Sequence, residues 1–123
     1  MQQNYSETIK NHYHHPRNAG KIANYTHSAE QINPLCGDEI RVYLKIENSK
    51  IENLAYEARG CMICVAAASV VSEYARGKKL KDLSALNLKD IEKLLFIVVS
   101  PARVNCATLL LTGINKPSLQ HIP

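Results

Sequence analysis

Hydrophobic and polar residues alternate over Glu39 to Glu47, EIRVYLKIE, with Ile40, Val42, Leu44 and Ile46 on one side. A period of two is the mark of a half-buried strand. The turn-forming NSK follows, and IENLAYEA then resumes with Ile51 and, after a change of phase, Leu54 and Tyr56. The two runs predict a hairpin, so the sheet is at least partly antiparallel. Upstream, Ile22 to Pro34 has no clear period; a weak strand is placed at Ala29 to Ile32.

The remaining pattern is helical. Ser6 is placed to cap a short helix from Glu7 to His14, with Ile9 and Tyr13 four apart on one face. Pro16 and the turn-forming RNAG end it. From Cys61 to about Arg76 an Ala-rich segment reads as a helix closed by Gly77. Asn87 suits the N-cap of LKDIEKLL, with Asp90 in the first turn at the positive end of the dipole. Ser100 and Pro101 read as N-cap and first residue of a last helix carrying Val104, Leu109, Leu111 and Ile114. No repeat or linker interrupts the chain. The expectation is one α+β domain over residues 1–123: a short N-terminal helix and a small three-stranded antiparallel sheet packed against helices.

Composition narrows the class. At 123 residues, 46% hydrophobic and 21% charged, the chain matches an ordinary globular domain. Its net charge of +4 is spread along the sequence apart from GKKLK, Gly77 to Lys81. That reads as a solvated basic loop, and one Phe with no Trp offers few platforms for stacking bases, so no nucleic-acid partner is expected. No apolar run approaches the roughly 20 residues of a membrane span. MQQNYSETIKNHYHHP has neither the charged lead nor the apolar stretch of a signal peptide. A cytoplasmic protein, or a mature organellar form, is the expectation. In a reducing compartment four cysteines read as ligands, reactive thiols or core residues rather than disulfides.

Those cysteines fall in three blocks: NPLCGDE with Cys36, RGCMIC with Cys61 and Cys64, and SPARVNCA with Cys106. Each block sits at the edge of a predicted element, whereas core cysteines tend to fall mid-element in phase with apolar neighbours. Cys61 opens a helix, where unpaired N–H groups and the dipole favour a thiolate, and Arg59 stands two residues away. Cys106 has Arg103 one turn earlier, placed to support a thiolate or to contact an anion. Asp38, two residues after Cys36, adds a hard oxygen. Asp38 with Cys36, Cys61 and Cys106 makes four ligands, enough for Zn²⁺ or an iron–sulfur unit. Carboxylate in place of one thiolate makes a cluster easier to lose. Cys64, three positions from Cys61 on roughly the same helix face, is either an extra ligand or sulfur relay, or a small buried hydrophobe beside Ala67 and Ala68. His12 and His15, three apart in HYHHP, read as surface histidines at a helix end rather than a metal pair.

HPRNAG, NPLCGDE, RGCMICVAAAS and SPARVNCATL, in this order and spacing from His15 to Leu111, resemble the IscU/NifU-type iron–sulfur cluster assembly scaffolds. The resemblance implies a compact α+β domain on which iron and sulfur are assembled into a transient [2Fe–2S] cluster and passed to recipient apoproteins. It implies Cys36, Cys61 and Cys106 as ligands, with Asp38 at the family's aspartate. Sulfur would arrive as persulfide from a cysteine desulfurase, and zinc is an alternative occupant of the same residues. Such a protein is a carrier rather than an enzyme, with sulfur transfer as a further activity; a homo-oligomer is left open.

The chain departs from the family at four points. Cys64 replaces a residue that is usually not a thiol. VVSPARVNC stands where IscU has L-P-P-V-K and a His before the last cysteine, with Arg103 at the Lys position and Asn105 at the His position. This weakens the expectation of an Hsp70-type chaperone partner, which the family attaches to that motif. PARVNCATL is closer to the SufU branch, yet 45 positions from Cys61 to Cys106 leave no room for the insertion typical of SufU. The further domains of full-length NifU are not in this sequence. Two rival functions remain: a zinc-bound sulfur acceptor for a desulfurase, and a thiol–disulfide oxidoreductase using Cys61 and Cys64, for which the βαβ context is missing.

Overall fold

The computed structural model describes residues 6–34 and 37–115, and the backbone of 120–121. In chain order these form α1 (Glu7–His14), β1 (His27–Ile32), β2 (Glu39–Glu47), β3 (Lys50–Arg59), α2 (Met62–Ala75), α3 (Leu80–Ser84), α4 (Leu88–Leu95), a 3₁₀ turn (Pro101–Arg103), α5 (Val104–Ala107), α6 (Leu109–Ile114) and β4 (Gln120–His121). Every strand pairing is antiparallel, in the order β3-β2-β1-β4. The α+β expectation is borne out, with β4 a two-residue addition at the edge of β1.

The hairpin explains the broken phase seen in the sequence. Val42 faces Tyr56 and Leu44 faces Leu54, but a register shift between Lys45 and Ile46 brings Ile46 opposite Ile51. One extra residue in the ladder therefore returns Ile51 to the buried face. Asn48 and Ser49 make the turn, both at positive φ (53° and 66°), which matches the right-handed twist of the strands.

One face of this sheet, with Ile40, Val42, Leu44, Leu54 and Tyr56, packs into a single core with α2. Helix α2 is buried nearly all round because Ala66, Ala67, Ala68 and Ala75 let neighbours approach closely. Helix α1 rests on α2 through fully buried Ile9. The Ser6 hydroxyl accepts the Ile9 N–H at 3.2 Å and donates to the Leu95 carbonyl, joining α1 to α4. Asn87 and Asp90 close a capping box at the start of α4, with reciprocal bonds of 3.1 and 2.9 Å. The last helix is not continuous. Thr108 separates α5 from α6, its Oγ1 donating to the Val104 carbonyl at 2.9 Å, a competing local bond of the kind that bends helices. Among the described residues no helix is long and apolar enough to cross a membrane.

Candidate metal centre

Three junctions meet at one end of the sheet. The turn before β2 presents Asp38. Its path is fixed by two backbone bonds: Asn33 N–H donates to the Asp38 carbonyl at 2.7 Å, and Gly37 N–H donates to the Asn33 carbonyl at 2.8 Å. Gly37 adopts φ 76°, a left-handed conformation that favours glycine. Cys36 belongs to the same turn by sequence but lies outside the described residues. Cys61 is the N-cap of α2; its side chain makes no capping bond and is left for other work. Cys106 lies in α5 and is buried, whereas Cys61 is half-buried.

One carboxylate oxygen of Asp38 and the sulfurs of Cys61 and Cys106 all lie within 4.8 Å of one another. Ligands around one tetrahedral zinc with ~2.3 Å Zn–S bonds stand about 3.8 Å apart, so a contraction of about 1 Å would close the group on an ion. Asp38 is 5% exposed, and its Oδ2 has no hydrogen-bond partner. A buried carboxylate oxygen without a donor is costly unless a cation faces it. The donor set therefore suits a soft cation with one hard ligand, and α2 directs the positive end of its dipole at the thiol of Cys61.

The remaining expected residues are placed as follows. Cys64 is 2% exposed, packs in the core and does not join the three grouped ligand atoms. Arg103 ends the 3₁₀ turn, half-buried, three residues before Cys106. Arg59 turns toward Glu39, 3.6 Å away and 85% exposed, so its charge is directed at the neighbouring strand. No disulfide involves Cys61, Cys64 or Cys106.

Two features were not read from the sequence. Gly60 lies against Asp38: a Cβ there would meet Asp38 Cγ and Oδ1 at 2.6 Å. The second is a buried polar network behind the ligands. His12 is 7% exposed, which corrects its reading as a surface histidine. Its Nδ1 lies 2.7 Å from Ser69 Oγ, which accepts the Arg17 N–H at 2.9 Å. Asn18 Nδ2 donates to Ser72 Oγ at 3.0 Å. Burial pushes the His12 pKa down, Arg17 adds to the effect, and Glu73 opposes it. The HPRN block thus binds the N-terminal segment to α2; the small polar Ser69 and Ser72 inside an Ala-rich helix were its only sequence signal.

Residues 4–117 match the family described as NifU-like N terminal domain. The chain is 31% identical over 129 residues to the zinc-dependent sulfurtransferase SufU of Bacillus subtilis, covering 91% of this chain and 87% of that one. It is 31% identical over 112 residues to the iron–sulfur cluster assembly scaffold protein IscU of Escherichia coli, covering 85% and 84%. Its fold is similar to the crystal structure of a SufU from Fervidobacterium islandicum, assigned as a scaffold of the SUF system, with TM-score 0.79, 26% identity, and coverage of 89% and 93%.

Proposed function

The chain belongs to the NifU-like N-terminal domain family, and from that premise we propose that it is a scaffold on which iron and sulfur are assembled into a transient [2Fe–2S] cluster for delivery to apoproteins. The cluster is the cargo, and Cys36, Asp38, Cys61 and Cys106 are its ligands. The observation that carries this reading is the partnerless, buried Asp38 Oδ2, in a residue whose carboxylate is grouped with two thiols from different elements. A cysteine desulfurase is the sulfur source; within this one domain, Arg103 lies near enough in sequence to Cys106 to meet the incoming anionic persulfide.

The mixed donor set has a functional consequence. A thiolate binds iron more softly and covalently than a carboxylate, so the Asp38 bond is the one through which a cluster loosens first. Asp38→Ala is expected to hold its cluster longer than the parent. Decay of the visible cluster absorbance at the parent's rate in that variant would count against this role.

Similarity to the Bacillus subtilis sulfurtransferase over nearly the whole chain favours a second reading, a zinc-bound sulfur acceptor. Anaerobic reconstitution with ferrous iron, cysteine and a desulfurase separates the two. Persistent cluster absorbance supports the scaffold; retained zinc with faster desulfurase turnover supports the acceptor.

A further inference from the structure

The free edge of β3 is open beside the candidate centre. Tyr56 turns its backbone outward: its N–H donates to the Asn18 carbonyl at 3.3 Å, and its carbonyl accepts the Gly20 N–H at 2.7 Å. This is the parallel bridge of Ala19 with Tyr56, and it extends no further. Backbone direction alternates along a strand, so Ala58 points its N–H and carbonyl the same way as Tyr56. Glu57 and Arg59 point theirs at Arg41 and Glu39 of β2. Among the described residues no backbone group answers Ala58 on this edge. A cleft of about 500 Å³ lies there, with Pro16, Ala19, Ala58 and Val65 in its lining. The Ala58 side chain packs against the core, and Glu57 and Arg59 stand exposed on the opposite face of the sheet. Arg59 is held loosely, by Glu39 at 3.6 Å. Two residues beyond Ala58, Gly60 lies against Asp38, and Cys61 follows.

We propose that this edge docks a short extended segment of a recipient protein, which adds to β3 as a strand alongside Glu57, Ala58 and Arg59. The inference rests on the delivery part of the function proposed above. An antiparallel strand exchanges two backbone hydrogen bonds with Ala58, the way peptides join open sheet edges. The residue facing Ala58 sets its side chain over Pro16 and Val65, so it is apolar. Its neighbours meet Arg59 and Glu57 as cross-strand pairs, so they are acidic and basic respectively. The segment therefore reads acidic, apolar, basic from its N-terminal end. The residues before the acidic one run past Gly60 toward Asp38 and Cys61, which brings the recipient's own ligands beside the cargo. A second copy of this chain does not fit the edge. With its β3 centred on Ala58, its Gly60 would fall opposite Tyr56, a place held by Asn18 and Gly20. Centred one residue later, it would set Arg59 against Arg59, a pairing of like charges.

The test adds the peptide acetyl-Ser-Gly-Glu-Val-Lys-amide to the isotope-labelled full chain and follows backbone amide shifts by NMR, which detects millimolar binding. The expected result is shifts centred on Ala58 and Arg59, with slower hydrogen exchange at the Ala58 N–H. Two changes remove backbone bonds alone: N-methylation of the peptide's valine, and Ala58→Pro, which a strand edge tolerates where the N–H faces outward. Each should weaken binding about tenfold, and exchanging the peptide's Glu and Lys should weaken it about as much. If Ala58→Pro fails to fold, the N-methylated peptide decides. No shift at Ala58, binding unmoved by N-methylation or by the charge exchange, or a dimer in sedimentation velocity that Ala58→Pro dissolves, overturns the docking edge. Iron and labile sulfide are measured on the same preparation after reconstitution. A cluster without peptide binding overturns the edge alone; no cluster overturns the delivery reading and the recipient with it.

Discussion

Gly60→Ala isolates the seat of Asp38 without touching a ligand. Gly60 has no left-handed φ, so alanine suits its backbone and only the contact matters. The added methyl would stand 2.6 Å from Asp38 Cγ and Oδ1 and 3.0 Å from its Cβ. Ordinary contact begins at 3.4 Å, so the carboxyl must retreat by 0.8 Å. Asp38 is short and 5% exposed, and the turn that carries it is pinned by the Asn33 and Gly37 bonds. The retreat is therefore a rotation away from Cys61 and Cys106 or a strain in the turn. Overpacking of this kind costs about 1–3 kcal/mol, or about 4 °C in Tm for each kcal/mol at this chain length. A displaced ligand should weaken zinc binding about 10- to 100-fold, the usual effect of disturbing what orients a ligand. The assay is a double-mutant cycle with Asp38→Ala, followed by thermal unfolding of the apoprotein and by competition for zinc with a chromophoric chelator. Removing the carboxyl removes the obstacle, so Gly60→Ala should cost much less stability, and no further zinc affinity, in the Asp38→Ala background. Equal costs in both backgrounds, or full zinc affinity in Gly60→Ala alone, would refute the reasoning.

Two further perturbations test the surrounding frame. The His12 pKa is depressed in the fold relative to about 6.5 unfolded, so below pH 6.5 the unfolded chain takes up more protons and stability falls as pH drops toward the folded value. Urea unfolding from pH 7.5 to 5 should show this loss, and His12→Gln should flatten it; an unchanged slope would remove His12 as its source. Asn87→Ala breaks the capping box of α4 and should cost about 1 kcal/mol in urea unfolding with zinc affinity unaltered; coupled loss of both would mean that α4 supports the site.

Local chemistry made much of this molecule legible. The β2–β3 hairpin follows from alternation and a turn, and the caps at Ser6 and Asn87 follow from side chains that bond the nearest backbone. The candidate-ligand blocks stood out because Cys36 and Cys61 fall at element edges in the sequence, although Cys106 and Cys64 prove to be buried in the core. What escaped depends on contacts between distant segments. The pairing of β4 with β1 has too few residues to leave a pattern. Thr108 divides a segment that reads as one helix, because its hydroxyl competes for a backbone carbonyl. His12 is buried because Ser69, 57 positions away, supplies its partner. Arg59 answers Glu39 across the strands rather than Cys61 two residues along. Gly60 carried no signal, since only the folded chain brings Asp38 against it.

The central claim is that Asp38 and the cysteines grouped with it hold iron and sulfide together. Protein purified without oxygen, reconstituted with ferrous iron, cysteine and a desulfurase, then desalted, should contain iron and acid-labile sulfide in equal amounts with visible cluster absorbance, and Cys106→Ser should lose all three. Retention of zinc with no labile sulfide, or a cluster that survives Cys106→Ser, would contradict the account.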